Sequence, residues 1–216
     1  MIFEQFGFNS YYFKCKHSQP IIVDLGANIG DTCIYFKWLY PNARIFAFEP
    51  HPVAYKYLIK NIAENNLKNI SAFNYGLSKT NSKMILKTPS EENLGASSTK
   101  NKFSKSNTGE KFEVEMKRGD EIVALKKLTR IDLLKIDIEG SESEVIQRLD
   151  KLLEVSDRVI IEYHLLPSRI NNSFDTILKF LEDANFAISV SSFYRDDTNT
   201  PSPFCFHINC TKLKKQ

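Results

Sequence analysis

The sequence predicts a doubly wound α/β fold, a seven-stranded, mostly parallel sheet with an antiparallel pair as its last two strands. Three observations carry this expectation. Apolar, β-branched runs alternate with helical stretches from residue 21 onward, the repeat that builds parallel sheets. The first run ends in a glycine turn, Gly26–Gly30, placed to open a helix. The last two runs, 186–193 and 204–211, have no helix between them, so they should pair antiparallel.

The elements follow in order. Ile21 to Gly26 (IIVDLG) reads as a buried parallel strand. Cys33 to Tyr40 is helical in pattern and is stopped by Pro41. Arg44 to Phe48 is the second strand, and a helix from Pro52 to Asn66 begins with a proline suited to its first turn. Asn69 to Asn74 is the third strand, running into a turn at 75–78. Ser82–Thr88 and Lys111–Lys117 read as two short strands around a polar insertion, 89–110. An insertion of that length inside a domain predicts a lid or binding loop. The pattern resumes with a fourth strand in 132–140 and a helix to Leu153, for which Ser141 and Glu144 have capping-box spacing. Arg158 to Tyr163 is the fifth strand, ending at His164, and a helix over 173–185 leads into the final pair.

Length and composition bound the protein. The chain has 216 residues, of which 42% are apolar and 25% charged, so a disordered chain is excluded. One domain over 1–216 is expected, with an N-terminal arm at 1–20 and the lid at 89–110. The net charge of +3 gives no strong nucleic-acid signal. No apolar run approaches the roughly 20 residues of a transmembrane helix, and Met1–Pro20 lacks the continuous apolar stretch of a signal peptide. Four cysteines without C-x-x-C spacing indicate a reducing compartment, so the expected location is cytoplasmic.

The chemistry belongs to the turns at the C-terminal ends of the strands, where open α/β sheets bind ligands. The first turn reads G-x-N-x-G, with Asn28 where a dinucleotide fingerprint has its second glycine and Asp31 at its third. Asp24, just before that turn, suits a cationic ligand better than a diphosphate. Glu49 ends the second strand 19 residues after Gly30, the spacing of a carboxylate that accepts ribose hydroxyls. A nucleoside with a positive charge, an amino-acid tail and no diphosphate describes S-adenosylmethionine.

Val23–Thr32 (VDLGANIGDT), Phe48-Glu49-Pro50 and Asp132–Gly140 (DLLKIDIEG), in this order and spacing, resemble the signature blocks of the FkbM-family methyltransferases. Gly95-Ala96-Ser97 is similar to that family's mid-chain element, and Ile161–His164 to its fifth-strand block. The resemblance spans about residues 20–190, and its most specific part is L-K-I-D-I-E-G. Lys117–Ile122 departs from the family's threonine-leucine-aspartate stretch, and only Asp120 carries over. The resemblance implies a Rossmann-like class I methyltransferase fold and methyl transfer from S-adenosylmethionine, most often to an oxygen of a sugar or natural product. It places Asp24, Gly26, Asn28 and Gly30 along the methionine part of the cofactor and Glu49 on the ribose. Asn74 and Gly76 would flank the adenine, Ser97 would reach the same pocket, and Asp137 and Glu139 would lie beside the sulfonium and the acceptor.

A hydroxyl acceptor must lose its proton, and a positioned base contributes about 10²–10⁴-fold. His164, Asp137 and Glu139 are the candidates, with His164 closest to neutrality in intrinsic pKa. Asp137 and Glu139 share a strand face only while the strand stays extended. A divalent ion on these carboxylates ranks lower, for want of an evident third ligand, so no metal is assigned. Zinc on Cys205, His207 and Cys210, or on Cys15 and His17, ranks below ordinary strand packing. The aromatic N-terminus (Phe3, Phe6, Phe8, Tyr11, Tyr12, Phe13) either caps the sheet or joins a homo-oligomer, and Lys100, Lys102, Lys105 and Lys111 flank the lid. The expected acceptor is a sugar or glycoconjugate. The rival readings are a methyltransferase of RNA or protein and a cofactor-binding module without turnover.

Overall fold

A computed structural model describes residues 11–87, 110–165, 172–195 and 204–214. Phe3, Phe6, Phe8, the segment 89–109 with Ser97, Lys100, Lys102 and Lys105, and residues 196–203 lie outside the described residues.

The strands and helices are β1 (Ile21–Leu25), α1 (Asp31–Leu39), β2 (Arg44–Phe48), α2 (Pro52–Glu64), β3 (Ile70–Phe73), β4 (Gly76–Ser78), β5 (Ser82–Lys87) and β6 (Lys111–Arg118). They continue as α3 (Val123–Lys126), β7 (Leu133–Ile136), α4 (Glu142–Ile146), α5 (Asp150–Glu154), β8 (Arg158–Leu165), α6 (Phe174–Asp183), β9 (Phe186–Arg195) and β10 (Phe204–Lys212). Seven strands form one sheet in the order β3-β2-β1-β7-β8-β10-β9. β1, β2, β3, β7 and β8 run parallel, while β10 pairs antiparallel with both β8 and β9. This is the expected sheet with its antiparallel end. The order reverses at β1, which has β2 on one side and β7 on the other, and a doubly wound sheet binds its ligand at such a switch point.

Period-two alternation sorts the strand residues onto two apolar faces. Val23, Phe46, Phe48, Leu134, Ile136 and Ile161 enter one core with the helices α4, α5 and α6. Ile22, Ile45, Ala47, Leu133 and Ile160 enter the other, with α1, Tyr11 and Phe13. Asp24, Lys135 and Glu162 occupy positions of that second face, so the arm packs over charged side chains there. Tyr11 and Phe13 are 1% and 2% exposed. At its other end the arm is tied to Asp132, which accepts from Ile21 N at 2.8 Å and meets Cys15 Sγ and His17 Nδ1.

Five local expectations change. Tyr75–Ser78 contains a strand, because β4 pairs with β6 and, with β5, makes a separate three-stranded sheet. The fourth strand of the sequence ends at Ile136, and 137–140 is a turn in which Glu139 has φ +53° and Gly140 φ +86°. The following helix is broken into α4 and α5. Ser141 stands at the N-cap without a side-chain cap bond, its ψ of 12° lying outside the extended backbone that a capping box uses. β8 runs through His164 to Leu165, so that histidine is part of the strand.

Candidate active site

Gly26 takes φ +83°, and a Cβ there would stand 1.7 Å from the carbonyl oxygen of Asp137. Glycine is required at this point on both counts. The turn is fixed to β2 by bonds from Gly26 N and Ala27 N to Phe48 O, each 3.0 Å. Gly30, at φ +89°, occupies the N-cap position of α1 and backs onto Leu58. Asn28, between them, is also left-handed, at φ +47°.

Glu49 is 7% exposed and braces this turn from β2. Its Oε2 accepts from Asn28 N at 2.8 Å and its Oε1 from His51 N at 2.7 Å. Burial pushes its carboxyl up to about 7, opposed by those two amides and by Lys135. A carboxylate has about four lone-pair positions, so each oxygen retains capacity for a ligand hydroxyl. Asn74 is exposed and donates to Glu49 O at 2.9 Å and Pro50 O at 3.2 Å. Gly76 is buried in β4 against Met116 and Pro50.

Asp24 and Lys135 form a fully buried ion pair, Nζ to Oδ1 3.0 Å. Thr32 Oγ1 donates to Asp24 Oδ2 at 2.5 Å. Lys135 also reaches Asp137 Oδ2 at 3.3 Å and Gly26 O at 3.1 Å. Burial alone would lower this ammonium, but Asp24 and Asp137 outweigh it and hold the lysine above its ordinary range.

The sequence-predicted carboxylates Asp137 and Glu139 meet His164 from β8. His164 is 3% exposed. Its Nδ1 lies 3.0 Å from Glu142 Oε1, while Nε2 faces Glu139 Oε2 at 3.6 Å, Glu162 Oε1 at 3.7 Å and Asp137 Oδ1 at 3.9 Å. Burial works against the charged ring, yet the bonds with Cys205 and Glu142 and the charge of Glu139 keep it protonated well above the usual histidine range. Burial raises Asp137 and Glu139, with Glu162 adding to the rise at Asp137. For Glu162, burial is overcome by hydrogen bonds from His207 and Tyr11 and by His164, so its carboxyl is lowered.

Sequence reasoning missed the groups that set up this edge: Lys135, Glu142, Glu162, Asn172 and Tyr11. Glu142 is fully buried and accepts from Gly140 N at 2.7 Å and Asn172 Nδ2 at 2.6 Å. Tyr11 OH donates to Glu162 Oε2 at 2.6 Å. A signal was present for two of them, since Lys135 and Glu162 each interrupt an otherwise apolar strand. Cys205, His207 and Cys210 do not converge: Cys205 lies by His164 and Glu162, His207 Nε2 is 3.2 Å from Glu162, and Cys210 is in the core.

The donor set fits a cationic nucleoside. Lys135, the cation beside the glycine turn, is engaged by Asp24 and Asp137. Asp31, at the start of α1, is 4% exposed, and its Oδ2 has no hydrogen-bond partner among the described residues.

The profile of the methyltransferase FkbM domain matches residues 24–188. The chain belongs to the FkbM methyltransferase family. It is an S-adenosylmethionine-dependent methyltransferase with the class I fold. Methyltransferase sdnD of Sordaria araneosa is 35% identical over 202 residues, covering 80% of this chain and 75% of its own. Hexuronic acid methyltransferase AglP of Haloferax volcanii is 26% identical over 178 residues, covering 82% and 67%. The crystal structure of methyltransferase FkbM from Methylobacillus flagellatus aligns with a TM-score of 0.59 at 14% identity, over 93% of this chain. This chain spans 46% of that longer one, and the likeness is one of fold. No helix among the described residues is long and apolar enough to cross a membrane.

Proposed function

We propose that this FkbM-family enzyme methylates a hydroxyl of a sugar or glycoconjugate. The observation that carries the reading is the contact of Gly26 with Asp137, which joins the glycine turn to the Asp137–Glu139–His164 cluster. Donor and acceptor sites then share one edge of the sheet. The name of the hexuronic acid methyltransferase among the relatives supports the acceptor class. The four free cysteines support a reducing compartment such as the cytoplasm.

When bound, S-adenosylmethionine supplies an already activated methyl group, so the protein contributes alignment and electrostatics. Asp24, Gly26, Asn28 and Gly30 hold the methionine portion, and Glu49 accepts the ribose hydroxyls. Asn74 and Gly76 border the adenine. Asp137, Glu139 and His164 receive the acceptor and draw off its hydroxyl proton.

Labelled methyl transfer into fractionated cell extract tests this. Label in glycan or sugar fractions, lost in Glu49→Ala together with S-adenosylhomocysteine binding, is the expected outcome. Label confined to RNA or protein would overturn the acceptor class. Cofactor binding with no transfer to any fraction would show a binding module.

A further inference from the structure

We propose that Asp137, Glu139 and His164 hold a divalent cation, of the magnesium or manganese class, that engages the acceptor's oxygens. The inference rests on the methyl-transfer reading and names how the acceptor edge of that site works.

The ligand geometry comes from two elements, the 137–140 turn and β8. One ligand atom from each residue lies within 4.8 Å of the other two. An octahedral ion about 2.1 Å from its ligands spaces them from about 3.0 Å (neighbours) to about 4.2 Å (opposite), so the gap has the right size. His164 Nε2 stands 3.6 Å from Glu139 and 3.9 Å from Asp137. Those separations are too long for hydrogen bonds and suit an intervening ion.

A second observation concerns the histidine's orientation. Glu142, itself fixed by Asn172 and Gly140 N, holds Nδ1 at 3.0 Å, and this directs Nε2 at the carboxylates. A carboxylate behind one ring nitrogen is the arrangement that orients metal-binding histidines. The ring also has Cys205 beside it. That sulfur groups with Glu162 and His164, outside the set formed by Asp137 and Glu139. Glu162 Oε1, 3.7 Å from Nε2, presents a further oxygen.

Charge argues in the same direction. Asp24, Asp137, Glu139, Glu142 and Glu162 surround this edge, and Lys135 is engaged by Asp24 and Asp137. Without an ion the balancing charge is the protonated His164, and a bound cation replaces it as Nε2 gives up its proton to coordinate. Two carboxylates and one imidazole, with open positions left for water or substrate, suit manganese or magnesium. A hydroxyl reaching that ion is acidified and passes its proton to water in an open position, so that with the ion bound the three side chains act as ligands in place of the base. The sequence lacked an evident third ligand, and β8 supplies it.

The test is titration of the chelator-stripped, full-length protein with manganese, followed by electron paramagnetic resonance of the free ion, with magnesium as competitor. One saturable site per chain is expected, weakened at least about tenfold in both Asp137→Asn and Glu139→Gln, and displaced by magnesium. The thermal transition, measured on the same samples, should persist in Glu139→Gln, whose side chain is 39% exposed, and S-adenosylhomocysteine binding is measured on the wild type alongside. No saturable manganese site in the wild type, or a site undisturbed by both substitutions, would overturn the proposal. Loss of S-adenosylhomocysteine binding from the wild type would instead strike the methyl-transfer reading.

Discussion

Two buried charges dominate at the scale of single residues. Glu49 reaches about 7 because burial outweighs its two backbone donors, and this has a definite sign. The folded protein binds the proton more tightly than the unfolded chain, so its stability falls as pH rises from about 4.5 to about 7. Ribose hydroxyls favour the ionised carboxylate, so affinity for S-adenosylhomocysteine should rise about tenfold between pH 6 and 8. Calorimetry across that range checks it, and Glu49→Gln should flatten the profile. Lys135 is the other case. Replacing it with methionine leaves Asp24 and Asp137 uncompensated in the interior, and a loss of about 3–5 kcal/mol is expected in denaturant unfolding. An unchanged midpoint would show that the pair contributes nothing net. Glu49 was legible from its distance to the glycine turn. The use of Lys135 was not, because a lysine in an apolar run announces burial without naming its partner.

At the scale of elements, turn geometry decides where functional groups stand. Gly26→Ala would force a Cβ into the Asp137 carbonyl at positive φ, and a loss of about 2–4 kcal/mol in thermal unfolding is expected. Gly76→Ala is the comparison. Its Cβ would meet the flexible end of Met116 at 2.8 Å and Pro50 at 3.2 Å, so the loss should be smaller, about 1 kcal/mol. Equal losses would contradict the special role of the first turn. The strands that carry these turns were readable because their apolar runs are bounded by glycine and proline. The end of β7 was not readable, since Asp137–Glu139 keeps the alternation of a strand while the backbone turns left-handed at Glu139. The cluster with His164 arises from that turn and from β8 reaching past Tyr163, and both are tertiary choices that periodicity does not encode. β4 was missed for a similar reason, because a three-residue strand next to a tyrosine-glycine step has too little pattern to distinguish it from a turn.

The whole molecule is organised around one sheet whose second face is completed by the N-terminal arm. Tyr11 and Phe13 bury their rings there, and Tyr11 closes over Glu162 and Lys135. Removing residues 1–17 strips both rings, each contributing about 1.5–3 kcal/mol by burial, together with the Cys15 and His17 contacts to Asp132. That shortened chain should lose most of its stability, giving a melting transition far below that of the full chain. A near-normal transition would show that the arm is only appended. The sequence offered this packing role for the aromatic arm beside an oligomer contact. At this scale the central claim is that one sheet edge seats both the cofactor and the acceptor. A crystal structure with S-adenosylhomocysteine tests it most directly. The account predicts the ribose on the Glu49 carboxylate, the homocysteine along Gly26–Gly30, and the sulfur facing Asp137 and His164. Density for the ligand in the cleft of about 690 Å³ beside β5 and β6, lined by Pro50, Lys83, Glu113 and Met116, with Glu49 untouched, would contradict it.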